Sequence, residues 1–101
     1  MKSVRIAKYT INNSSFQDIA DKAKTDLLPK LRKQTGFIRY GVADMGDQYC
    51  ETMSVWNTRE DAVASETLTT AWVRENLEGK LLLKSSHVGT LAFEEGVPAT
   101  V

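Results

Sequence analysis

FIRYGVADMGDQYCETMSVWNTREDA, residues 37–62, holds two β-rich runs, a turn between them and the start of a capped helix. Phe37 to Ala43 and Gln48 to Trp56 are rich in β-branched and aromatic side chains. Asp44-Met45-Gly46-Asp47 supplies a turn in which Gly46 can take a positive φ, so the two runs predict a hairpin. Asn57 or Thr58 then offers a side-chain oxygen to the free N–H groups of a helix's first turn, where Glu60 and Asp61 suit the dipole and Ala62 and Val63 begin the apolar face.

Ahead of this hairpin, Ser3 to Ile11 alternates as a strand, with Val4 and Ile6 on one face and Ala7, Tyr9 and Ile11 on the other. Ser14 with Gln17 has capping-box spacing, and Phe16, Ile19, Ala20, Ala23, Leu27 and Leu31 repeat at helical intervals up to Gly36. Pro29 lacks an N–H, which predicts a kink or break near residues 25–28. Behind the hairpin, Thr67, Thr69 and Thr70 interrupt the second helix, so the stretch from Ala71 to Leu77 is expected as a separate turn or short helix before Gly79. Ser86 to Glu94 alternates as the last strand, with His87, Leu91 and Phe93 on one side. The order β-α-β-β-α-β is the ferredoxin-like α+β arrangement, a four-stranded antiparallel sheet with both helices on one face. One domain over residues 1–96 and a tail over residues 97–101 account for the chain.

Composition narrows the function classes. The 101 residues carry 13 basic and 13 acidic side chains, so neither nucleic acid nor an anionic membrane surface is an expected partner. Leu81-Leu82-Leu83 is the longest aliphatic run, too short for a membrane span, and the N-terminus lacks a secretory signal pattern, which makes the cytoplasm the expected location. A single Cys50 and a single His87 cannot form a disulfide or a Cys/His zinc site, and no cofactor is expected. Residues 1–40 hold nine Lys/Arg against three Asp/Glu, while the rest of the chain is acidic; the two halves attract each other within one fold. Because the strands are apolar on both faces and the helices cover one, a homodimer through the bare face is expected.

Two local patterns resemble the antibiotic biosynthesis monooxygenase family of dimeric α/β barrels. One is Pro29 followed by Gly36-Phe37; the other is Val55-Trp56-Asn57-Thr58-Arg59-Glu60-Asp61-Ala62. The resemblance runs over about residues 3–94 and implies the barrel dimer, with a cofactor-independent monooxygenase of a small aromatic or quinol-like compound as the implied activity. A non-enzymatic dimer that binds a small apolar molecule or serves as an interaction module, or an isomerase or cyclase, fits the same scaffold. Where haem-degrading relatives carry asparagine, tryptophan and histidine, the positions that look equivalent are Ala7, Ser65 and Glu75, which sets haem chemistry aside.

A cofactor-free oxygenase needs an apolar cavity, a base and donors for an oxyanion. His87 is the candidate base, since imidazole exchanges protons near neutral pH, and Tyr9, alternating with the small Ala7, is its candidate partner. Trp72 is placed as a cavity roof that donates its indole N–H to a ligand, with Trp56 as a further wall. Arg39 would meet a substrate carboxylate or pair with Glu51 across the hairpin. Each has a plainer role as core, interface or surface. Cys50 is expected as a small buried hydrophobe rather than a nucleophile.

Overall fold

The structure, a computed structural model, describes residues 1–96; the tail expected at 97–101 lies outside the described residues. Its elements are β1 (Ser3–Ile11), α1 (Phe16–Lys22), a π-helical turn (Ala23–Leu27), α2 (Leu28–Arg32), β2 (Phe37–Gly46), β3 (Tyr49–Trp56), α3 (Arg59–Asn76) and β4 (Leu81–Thr90). All pairings are antiparallel, in the order β2-β3-β1-β4, so the ferredoxin-like α+β fold stands. No helix among the described residues is long and apolar enough to cross a membrane.

The central strand β1 sorts the molecule by parity. Ser3, Arg5, Ala7, Tyr9 and Ile11 are buried beneath the helices, while Ile6 and Lys8 are exposed on the outer face. Ile19, Ala23, Leu27 and Leu31 cover the inner face from α1 through α2. These two helices and the π turn keep helical dihedrals at their junctions and form one rod. The Leu28 N–H reaches back five residues to the Ala23 carbonyl, one residue before Pro29, so the irregularity expected there is a widened turn rather than a break.

Four details differ from the sequence expectations. Ser15, not Ser14, caps α1, its hydroxyl accepting from the Asp18 N–H at 3.1 Å, while Gln17 donates to Asp21 at 2.8 Å. The hairpin turns at Asp47-Gln48, both with left-handed φ, and Gly46 sits one residue earlier, opposite Tyr49 at a bulge. A bond from the Ile11 N–H to the Gln48 carbonyl at 2.8 Å holds that strained turn against β1. α3 runs unbroken through its threonines, because a few tenths of a kcal/mol of propensity each cannot outweigh the burial of Thr69 and Trp72 against the sheet. β4 begins at Leu81 and ends at Thr90, which pairs with Ser3, where β1 begins; one further backbone bond, from the Leu91 N–H to the Lys2 carbonyl at 2.9 Å, follows the last ladder pair, and Phe93 is exposed.

Gly36 locks hairpin to helix. Its φ of +79° is a left-handed conformation, and a Cβ there would strike the Asp61 carboxylate in the first turn of α3. The Gly36 carbonyl also accepts from the Asn57 N–H at 2.8 Å, and the Thr58 hydroxyl caps α3 through the Asp61 N–H at 3.1 Å. The two sequence patterns of the resemblance therefore meet in space.

Leu27 is 1% exposed, so Leu27→Ala is expected to destabilise by about 2–5 kcal/mol, whereas Lys22→Ala, exposed on the same rod, should stay within about 0.5 kcal/mol. Urea unfolding of both variants checks the helical register.

Candidate functional site

Between the rod, α3 and the inner sheet face lies a cavity lined mainly by apolar side chains, with Tyr9, Tyr40, Thr52, Thr69 and Cys50 as its polar members. Trp72 and Leu27 close it from the helix side. Its free volume is about 10 Å³, the room of a single water.

Alternation along three strands places the phenols. Tyr9 faces inward from β1 opposite Cys50, and Tyr40 faces inward from β2 opposite Ser54. Burial pushes the Tyr40 phenol well above its ordinary range, and the neighbouring Tyr9 and Cys50 add to the shift while the Arg5 guanidinium opposes it. At neutral pH Tyr40 is therefore a hydrogen-bond donor and not a base.

Arg5 is the residue the sequence reading missed. It is 4% exposed, its Nε donates to the Ser86 hydroxyl at 3.1 Å and stands 3.5 Å from the Glu66 carboxylate, and Ser86 itself donates to Glu66 at 2.6 Å. Among the described residues only Nε of this guanidinium has a hydrogen-bonding partner. Arg5 stands beside the cavity rather than in its lining, reaching it through Tyr40. A signal was present: Arg5 shares the strand parity of Ala7, Tyr9 and Ile11, and a charge at an inward position is costly enough to need a reason.

The expected site residues divide. Tyr9 and Trp72 share the cavity lining. Trp72 does not offer its indole N–H to the interior, however, because it donates to the Asp26 carboxylate of the π turn at 2.6 Å; only the ring meets the cavity. Trp56 is fully buried core, stacked edge to face on Phe37 at 5.4 Å, outside the cavity lining and with its Nε1 unpartnered among the described residues. His87 pairs with Ile6 on the outer face and is exposed, so the sheet separates it from the cavity. Arg39 also lies on the outer face. A register shift after Phe37 sets it opposite Val55 while Glu51 pairs with Ala43, and its ion pair is with Glu94, which also takes Lys2 at 3.0 Å.

No family model matches the chain, and no curated protein is similar to it in sequence. Solved structures do share its shape. A candidate antibiotic biosynthesis monooxygenase from Nitrosomonas europaea superposes with a TM-score of 0.70 at 15% identity, over 94% of each chain. A single-site variant of SnoaB, a cofactor-independent oxygenase from Streptomyces nogalater, gives 0.61 at 14% identity, over 96% of this chain and 97% of that one. MupZ from Pseudomonas fluorescens gives 0.69 at 11% identity; 86% of this chain matches, and it spans 66% of that protein. The chain has the fold of the antibiotic biosynthesis monooxygenase-like proteins.

Cys50 is fully buried, and its thiol is pushed up to about 11 by burial, with the Asp44 carboxylate second. A thiol attacks as its thiolate, so modification by dithionitrobenzoate at pH about 8 should be about 100-fold slower in the native than in the denatured protein and should rise as the pH is raised above that value. Equal rates would mean that the cavity is open.

Proposed function

We propose that the chain binds a small aromatic phenol or enol in the inner cavity and oxidises it with dioxygen as a cofactor-independent monooxygenase, acting as a homodimer. The observation that carries the reading is the pair of inward phenols, Tyr9 and Tyr40, on the wall of a mainly apolar space, with the buried Arg5 cation behind Tyr40 and outside the lining. Such a wall favours the ionised form of an acidic substrate, by hydrogen bonds from the phenols and by the field of the guanidinium. The substrate anion then supplies the electrons: the carbon that is a CH₂ group in the substrate's keto tautomer takes one oxygen atom to become a carbonyl, and the other oxygen leaves with both hydrogens as water. The lining contains no imidazole or carboxylate, so the protein's part is to stabilise the anion and exclude solvent. Likeness of fold to a cofactor-independent oxygenase supports this reading.

A second reading, a non-enzymatic binding or interaction module, draws support from the small free volume, since the inner space is largely filled by side chains and an aromatic ring enters only if the layers separate. Oxygen uptake over a panel of phenols and quinols decides between them. On a responding compound, Arg5→Met should lower turnover by about 100-fold, whereas His87→Ala, on the far face, should stay within about threefold. No uptake across the panel favours the binding protein.

The dimer is proposed on the outer sheet face, where Ile6 and Met53 are paired neighbours, 39% and 44% exposed, on the two central strands. Sedimentation should give a dimer at micromolar concentration, and Ile6→Glu should give a folded monomer. A wild-type monomer would remove this interface.

A further inference from the structure

We propose that the inner cavity is loaded through the groove between the helical rod and the edge strand β2, with Tyr40 and Val42 as the wall that parts, and that the ligand admitted is a flat aromatic anion. This rests on the reading that the cavity takes an aromatic ligand, and it assigns the path and the charge.

The groove has a volume of about 270 Å³ and is lined by Ala20, Lys24 and Leu28 from the rod and by Tyr40, Gly41 and Val42 from β2. Tyr40 and Val42 also line the cavity, so one layer of side chain separates a space open to solvent from one that is closed. On the helix side the same π turn serves both spaces: Ala23 and Leu27 face the cavity, and Lys24 faces the groove. A π turn carries a residue more than an α turn and marks a place where a helix can change its register locally. β2 is bonded to a neighbour on one side only, which leaves its other edge and the groove-facing ring of Tyr40 freer than any central strand.

The charges along the path favour an anion. Lys24 is exposed and has no ion pair among the described residues, and Arg5 faces Tyr40 from the far side. Among the described residues no carboxylate lines the groove, and Lys24 is the one charged side chain in its lining; Asp26 is turned to Trp72 and Asp44 to the Gly46 N–H at 3.0 Å. A passing ligand thus meets a cation at the mouth, then apolar surface, with Arg5 and its partner Glu66 behind the wall.

The test uses 7-methoxycoumarin-3-carboxylate and its neutral ethyl ester as probes, followed by stopped-flow energy transfer from tryptophan, since the Trp72 ring lines the cavity. A groove residue touches the path and not the bound ligand, so Ala20→Phe should slow association and dissociation of both probes together, by about 10-fold, with Kd within about twofold. Tyr40→Ala should speed both steps. Lys24→Glu should slow association of the carboxylate several-fold and leave the ester unchanged, and Thr70→Phe on the exposed side of α3 should change nothing. Ala20→Phe without effect on either rate would overturn the route, and Lys24→Glu acting equally on both probes would overturn the anion preference. Failure of both probes to reach the cavity would overturn the proposal together with the reading beneath it, and entry of the ester without the carboxylate would overturn the anion preference. Rates that shift as expected without any oxygen uptake would uphold the route and sink only the oxygenase.

Discussion

Burying Arg5 is the constraint on which the rest of this structure depends. A guanidinium stays charged in any protein environment, and leaving one unpaired inside costs several kcal/mol. At 4% exposure it requires Glu66 and Ser86 within reach at once. Glu66 is delivered by the first two turns of α3 after the Thr58 cap, and Ser86 only if β4 pairs with β1 so that Ser86 stands opposite Ala7. The two elements that sequence periodicity described least well are therefore the two whose positions this ion cluster fixes.

The first helical rod answers to a different constraint. Pro29 has no N–H to give, and its ring would crowd the turn before it; the π turn widens the helix at that point and absorbs both problems. Widening also turns Asp26 toward α3, where it takes the indole N–H of Trp72 at 2.6 Å across 46 residues of sequence. The roof of the cavity is thus a joint between helices at an irregular turn, and the indole N–H expected to serve a ligand is spent on it.

Legibility followed the physics of each pattern. Period-two alternation in β1, the Thr58 cap and Gly36 were readable because each is a local requirement of the backbone. The hairpin turn was misplaced because Gly46 advertises a turn while the bond from Ile11 to Gln48, a contact distant in sequence, decides where it falls. β4 was shifted because its end is set by where β1 begins and not by its own residues. At the candidate site, strand parity and helical spacing place Tyr9 and Trp72 in the cavity lining, whereas His87 stands opposite Ile6 on the outer face, a placement that depends on the pairing of β4 with β1 rather than on its own strand. Arg5 was passed over because a charged residue on a strand is ordinarily read as solvent-facing, and only its parity argues otherwise.

The two helical layers are held to the sheet by unlike forces. α3 is tied to it through Glu66 on Arg5 and Ser86, and through Arg59, whose Nη1 donates to the Val88 carbonyl at 3.2 Å. Among the described residues the first rod has no side-chain hydrogen bond to the sheet; it rests there through Ile19, Ala23, Leu27 and Leu31, and its one side-chain hydrogen bond to α3 is Asp26 accepting from Trp72. Directional, charge-assisted bonds fix a distance and an angle, while apolar contacts keep most of their free energy when one surface slides over another. A cavity with room for one water can enlarge only by separating a layer from the sheet, and moving α3 would take Glu66 away from a buried cation. The rod, with its π turn facing the edge strand, is the layer that can give, which is why cavity, groove and irregular helix lie on the same side of the molecule.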